Sequence, residues 1–237
     1  MTVHMLCKLD DLIHTHPGET WAQALERFSK LCRVDLLEYD DDDEKIVVNL
    51  SEIYDEGELY ELMPPLAEDE ILTYERQHGL VIPAPLRHVL LQTEVPQIYM
   101  ARYDHGRYGE RRVLDFYHSD EPHLFPNVKT LLEALAYNYG PYFSDEELDT
   151  AEREALNQRF FAFAARSNDD HAWTYLLFDR EGHFGEYEFE TENYPRSLAR
   201  IRDLLVNGLT ETDFDAFMCR QIDILMTYIL QYNEVID

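Results

Sequence analysis

Residues 67–92 run Ala67-Glu68-Asp69-Glu70-Ile71-Leu72-Thr73-Tyr74-Glu75-Arg76-Gln77-His78-Gly79-Leu80-Val81-Ile82-Pro83-Ala84-Pro85-Leu86-Arg87-His88-Val89-Leu90-Leu91-Gln92. They predict two short helices joined by a fixed turn. Asp69 is a helix-capping residue type, because its side chain can accept an orphan backbone N–H. Ile71, Tyr74 and His78 then share one face at helical spacing. Gly79 sits where a chain leaving a helix turns left-handed, a conformation cheap only for glycine. Leu80 follows in position to pack back on Tyr74. Pro83 forces Ile82 into an extended shape, and Pro85 has its φ preset for the first turn of the second helix. Leu86, Val89 and Leu90 give that helix its apolar face. The physics predicts a corner and assigns it no chemistry.

The same residues carry a family pattern. Glu70-Ile71, Glu75, Gly79, Ile82-Pro83, Leu86-Arg87 and Leu90 resemble the opening of the SUKH superfamily. That superfamily includes yeast cell-wall-synthesis regulators of the Smi/Knr type and many bacterial immunity proteins. Phe161 to Asp179 and Gly182 to Leu205 resemble its later strands and closing helix, so the likeness spans about Leu66 to Gly208. Where the family often has Asn-Gly or Gly-Gly after the second helix, this chain has Thr93-Glu94-Val95-Pro96. The resemblance implies a SUKH-like α+β domain and a cytosolic immunity protein. Such a protein holds a partner toxin inactive by covering or distorting it, with no turnover and no cofactor. The alternative it implies is a Smi/Knr-type regulator or scaffold that binds a cellular protein.

Composition sets outer bounds. The chain has 237 residues, 45% hydrophobic and 13% aromatic, enough for a sizeable core in one or two domains. No apolar run approaches the roughly 18 residues of a membrane helix. The first residues show no secretory apolar core or small-residue cleavage site, which predicts a cytoplasmic protein. Cys7, Cys32 and Cys219 are too few and too scattered for a disulfide scaffold and read as reduced thiols. Forty-eight Asp and Glu against 20 Lys and Arg give a formal net charge of −28. A surface that negative repels phosphate backbones, which argues against nucleic acid, and it favours encounter with basic proteins.

The remaining periodicity predicts an α+β fold with a mixed or antiparallel sheet wrapped by helices. Residues 1–65 form either an N-terminal extension or a small α+β lobe, 66–208 the SUKH-like domain, and 209–237 a C-terminal helix. In the first part, Met5, Leu9 and Leu12 keep one helical face. Thr20 and Gln23 form a capping box ahead of Trp21, Leu25, Phe28 and Cys32. Asp35–Tyr39 and Lys45–Leu50 read as a hairpin, and Ser51–Met63 as a short helix. Beyond the corner, Gln97–Tyr103 and Glu110–Tyr117 form a second hairpin. Asn127 caps a helix carrying Val128, Leu131, Leu132 and Leu135. Ser144 and Glu147 box the next, with Leu148, Ala151, Ala155 and Leu156. Three strands follow. The middle one, around Trp173, Tyr175 and Leu177, is apolar on both faces and therefore central, with Trp173 buried. Gly182 turns the chain into the last of them. Leu198, Ile201, Leu204 and Leu205 close the domain on a helix that stops at Asn207-Gly208. Thr210 and Asp213 start a final helix whose stripe is Phe214, Phe217, Met218, Leu225, Tyr228 and Ile229. The stripe serves either packing or a homodimer.

Chemistry is hard to find. No Gly-x-Ser-x-Gly elbow or glycine-rich phosphate loop occurs. His14 and His16 near Asp10, and His118, Asp120, Glu121 and His123, lack the spacing of a zinc site and read as surface loops. No catalytic residue, metal site or cofactor is expected, and a hydrolase has no supporting motif. The sharpest feature is a row of carboxylates on one strand face, Glu186, Glu188 and Glu190. Residues two apart on a strand stand about 6.5–7 Å from each other, a spacing that meets several Lys or Arg groups of a partner. Tyr187 and Tyr194 beside it are candidate interface anchors. The acidic hairpin tip Asp40-Asp41-Asp42-Asp43-Glu44 lacks the glycine and later glutamate of a calcium loop. Asp41, Asp42 and Asp43 are therefore a second candidate partner-binding face.

Overall fold

The alternation of apolar residues in 160–190 produces the sheet on which the rest is laid. The computed structural model describes residues 14–31, 35–39, 45–49, 60–63, 65–92, 95–104, 107–116, 128–139, 143–144, 146–167, 172–232 and 234–235. In chain order its elements are α1 (Trp21–Leu31), β1 (Asp35–Tyr39), β2 (Lys45–Asn49), β3 (Tyr60–Met63), α2 (Glu68–His78), α3 (Ala84–Gln92), β4 (Val95–Asp104), β5 (Arg107–Phe116), β6 (Lys129–Thr130), α4 (Leu131–Tyr139), α5 (Thr150–Arg159), β7 (Phe160–Ser167), β8 (Ala172–Asp179), β9 (Phe184–Glu190), α6 (Tyr194–Asn207), α7 (Phe214–Tyr232) and β10 (Glu234–Val235). The class is α+β. The chain divides into two compact units: residues 1–61, 99–111 and 213–237, and residues 62–98 and 112–212.

The larger unit holds β6, β7, β8 and β9 of a sheet of order β3-β4-β5-β7-β8-β9, with β6 paired to β7. The β5–β7, β6–β7, β7–β8 and β8–β9 pairings are antiparallel. Central β8 is buried on both faces, as its continuous apolar run requires. On one face Tyr175 and Leu177 join Phe160, Ala162, Tyr187 and Phe189. Against them lie Leu131 and Leu135 of α4, Leu156 of α5, and Leu198, Ile201 and Leu204 of α6, forming one core. On the other face Phe161 and Phe178 stack at 5.4 Å, and Phe163 meets Phe184 edge-on at 6.2 Å. Trp173 is only partly buried against the core, not enclosed as expected, because it stands near the start of β8 rather than at its middle.

Strand β9 ends the sheet, and both of its ends are held. Phe184 and Glu211 exchange main-chain hydrogen bonds of 2.7 and 3.1 Å. At the other end the hydroxyl of fully buried Ser197 accepts the Glu190 N–H at 2.9 Å and donates to the Glu190 carbonyl at 3.1 Å.

The corner forms as its residues predict, with one change at its start. Gly79 has φ +60° and ψ +33°, and the N–H groups of Gly79 and Leu80 both reach the Glu75 carbonyl. Leu86, Val89 and Leu90 are buried, and Pro85 lies in the first turn of α3. The cap of α2, however, is Ala67 rather than Asp69. An alanine has no side-chain acceptor, so the Glu70 carboxylate instead accepts the Ala67 N–H at 2.6 Å. His78 is exposed and stacks on half-buried Tyr74, whose hydroxyl donates to the Val128 carbonyl.

Three boundaries differ from expectation. Tyr60–Met63 is a strand at the sheet edge, not the end of a helix, because pairing overrides the local pattern. Helix α4 starts at Leu131, after the short strand β6. Its box is Thr130 with Glu133, at 2.8 and 3.4 Å. Helix α5 is capped by Asp149 with Glu152, at 2.8 and 2.9 Å, one box later than Ser144 with Glu147. The Ser144 hydroxyl accepts the Glu146 N–H at 3.3 Å without opening a helix.

In the smaller unit, β1 and β2 form the expected hairpin, with Leu36 opposite Val48, inside a sheet of order β10-β1-β2. Thr20 and Gln23 box α1 as predicted, at 2.9 and 3.4 Å. The buried face of α1 carries Trp21, Ala24 and Arg27. Arg27 reaches Glu19 at 2.8 Å and Asp223 of α7 at 2.9 Å. Burial pushes its guanidinium down, and the bonds to these two carboxylates outweigh that and raise it. Asp213 caps α7 by accepting the Ala216 N–H at 3.0 Å. Phe214, Phe217 and Met218 of its stripe are buried in the monomer. No helix among the described residues is long and apolar enough to cross a membrane. The expectations for Met5, Leu9, Leu12, Asn127, the tip Asp40–Glu44 with Asp41, Asp42 and Asp43, and the cluster His118–His123 lie outside the described residues, as do Cys7 and Cys32.

Candidate functional site

The carboxylate row is present and shares a strand face, but arginines of the same chain meet it. Glu186 lies opposite Leu176, Glu188 opposite Thr174 and Glu190 opposite Ala172. Arg200 of α6 reaches Glu188 at 2.7 Å and Glu190 at 2.8 Å, and Arg196 stands 3.5 Å from Glu190. Arg166 of β7 lies 3.7 Å from Glu186. Burial pushes the Arg166 guanidinium down, and Glu186 and Glu188 oppose that shift. The row is thus an internal ion-pair network at the sheet margin. A partner's cation would have to compete with fixed guanidinium groups for it.

The two tyrosines are engaged as well. Tyr187 points to the opposite face, is 3% exposed, and donates its hydroxyl to the Ser197 carbonyl at 2.9 Å. Strand alternation places it there, since neighbours along a strand face opposite ways. Tyr194 is half-buried, edge-on to Phe189 at 5.8 Å, and donates to the Ser144 carbonyl. Both serve the core.

The corner's own polar residues form a clamp. The Glu75 carboxylate accepts the buried Ile82 N–H at 2.8 Å and the Arg87 guanidinium at 2.7 Å. Arg87 also pairs with Glu68 at the start of α2. The two acceptors, Glu68 first and then Glu75, hold Arg87 above its ordinary value. One arginine thereby ties both ends of α2 to α3.

Facing the corner is the β8–β9 turn, and together they enclose a cleft of about 610 Å³. Val81, Pro83 and Pro85 line one side, and Arg180, Glu181 and His183 the other. Asp179 builds the turn from within. Its Oδ1 accepts the Glu181 N–H at 3.0 Å and the His183 N–H at 2.9 Å, and its Oδ2 lies 3.1 Å from His183 Nδ1. Gly182, at φ +86°, completes the reversal the sequence predicts.

Arg180 fastens the turn. Its Nε donates to the Gln158 carbonyl at 2.6 Å and its Nη1 to the Gly79 carbonyl at 2.8 Å. The guanidinium stands 5.3 Å from the Phe161 ring. Those carbonyls close the C-terminal ends of α5 and α2, where the helix dipole favours a cation. The Glu181 carboxylate has no hydrogen bond or ion pair among the described residues, and Val81 beside the cleft is 74% exposed.

Asp179, Glu181 and His183 bring ligand-type atoms within 4.8 Å of one another. Both oxygens of Asp179 are engaged by the turn itself. The sequence reading missed this cleft. Its one visible signal was the pair of prolines flanking Ala84, which leave Val81 on an extended, outward segment. Comparison with family models, with curated proteins and with solved structures found no match to this chain.

Proposed function

We propose that this chain is a non-catalytic binding protein for a basic protein partner, acting as an immunity protein that neutralises a toxin by occlusion. The observation that carries the proposal is the disposition of charge. The chain has a formal net charge of −28. Arg27, Arg87, Arg166, Arg196, Arg200 and Arg202 each stand against carboxylates of the same chain. Those pairs cancel locally, and the excess of carboxylates over cations in the chain sets the sign of the field it presents. Such a surface steers a basic partner into encounter and repels acidic ones. The resemblance of residues 66–208 to the SUKH superfamily supports the same reading.

The test is capture of partners on the tagged full-length chain, followed by association kinetics at several salt concentrations. A basic partner whose association slows steeply with salt, and whose toxicity the chain suppresses, fits the proposal. A resident cellular protein bound with little salt dependence refutes it, and fits instead a regulator or scaffold of the Smi/Knr type.

A further inference from the structure

Resting on the reading of a basic partner, we propose that the partner docks as an extended, lysine-bearing segment in the cleft between the α2–α3 corner and the β8–β9 turn. It does not dock on the Glu186–Glu190 row.

The choice follows from which charges are already matched. In the row, Glu188 and Glu190 lie within 2.8 Å of Arg200, and Glu186 has buried Arg166 beside it. An incoming lysine there gains little that is not already present. At the cleft the two arginines are engaged, Arg87 by Glu68 and Glu75, and Arg180 by the ends of two helices. Among the described residues, the cleft group left without a hydrogen bond or ion pair is the Glu181 carboxylate. The cleft therefore offers a free carboxylate to a cation, while Arg87 is neutralised by its two carboxylates and the exposed Arg180 is turned by its Nε and Nη1 onto the two helix-end carbonyls.

Shape points the same way. Val81, 74% exposed, and Pro83 and Pro85 give an apolar wall that lacks two backbone N–H groups and suits side-chain packing. A segment with alternating residues can place an apolar side chain on that wall and a lysine toward Glu181, since alternate residues of a strand face opposite ways. The wall is fixed before the partner arrives. Asp179 holds the turn through two backbone amides, and Arg180 ties it to α2 and α5. Little ordering is then needed on binding.

The experiment uses the full-length chain labelled with ¹⁵N and two synthetic peptides, Ac-Lys-Val-Lys-Val-Lys-NH₂ and Ac-Glu-Val-Glu-Val-Glu-NH₂. The basic peptide is expected to shift the amides of Val81, Glu181, Gly182, His183 and Thr212, and the acidic peptide to shift none. Glu181→Gln and Val81→Ser should each weaken that binding about threefold to fivefold, the scale of one exposed contact. Both residues are exposed, so both variants should keep the wild-type spectrum elsewhere. Equal shifts with the acidic peptide would mean that Arg180 and His183 dominate the cleft, and would overturn the proposal. So would shifts confined to the Glu186–Glu190 row or the first turn of α2, or no shift at all. None of these results touches the basic-partner reading, which stands or falls on the whole-protein kinetics.

Discussion

Replacing Glu75 should cost more stability than its partial exposure suggests. Its carboxylate accepts two bonds at once, from the Ile82 N–H at 2.8 Å and from Arg87 at 2.7 Å. Ile82 is 1% exposed, so in Glu75→Ala its N–H loses its acceptor in a place water does not reach. An orphaned buried donor costs about 1–3 kcal/mol. The ion pair adds less, about 0.5–1 kcal/mol, because the Arg87 side chain is 20% exposed and retains Glu68. Glu75→Ala should therefore lose about 1.5–4 kcal/mol, and Glu75→Gln, which keeps an oxygen for Ile82, only the ion-pair share of about 0.5–1 kcal/mol. The assay is urea unfolding followed by Trp173 fluorescence in a Trp21→Phe background, so that the signal comes from the larger unit alone. With a slope of about 2 kcal/mol/M, the alanine variant should move the midpoint by roughly 0.75–2 M. A loss below about 0.5 kcal/mol, or equal losses for Ala and Gln, would refute the clamp.

Three further outcomes are expected. Gly79→Ala should destabilise the chain by about 1 kcal/mol in the same assay, since φ is +60° and no atom lies within 4 Å of the added methyl, leaving backbone strain as the cost. Glu152 is held below its ordinary carboxylate value of 4.5 by the Arg202 guanidinium and by the Asp149 N–H. Its contribution is thus present above about that pH and lost as pH falls through the lowered value. The melting-temperature gap between wild type and Glu152→Gln should accordingly close on acidification. Burial, with help from Glu19 and Asp215, pushes the Cys219 thiol up to about 12, so it should resist a thiol reagent in the native chain and react on unfolding.

What the sequence made legible was local. Gly79 and the two prolines specify their own backbone, and the corner follows. The two-faced apolar run at 173–178 could only be a central strand. The errors came from choices that only tertiary contacts resolve. Ser144 with Glu147 and Asp149 with Glu152 are equally good boxes five residues apart, and the folded chain uses the second. The Glu186–Glu190 face was placed correctly, but its partners arrive from Arg166 on another strand and Arg200 on the next helix. No spacing rule links them. Glu75 was seen as part of a pattern, although its purpose is legible only once Ile82 and Arg87 fold back beside it.

Strand β9 carries a further consequence. A terminal strand is a template onto which a stray chain can add by main-chain hydrogen bonding, the first step toward swapped dimers or fibrils. Here the Glu211 backbone holds one end and the Ser197 hydroxyl the other. An added strand would have to displace both to run the length of β9. Ser197→Ala should open one end, and its signature would be concentration-dependent aggregation, followed by light scattering, that wild type does not show.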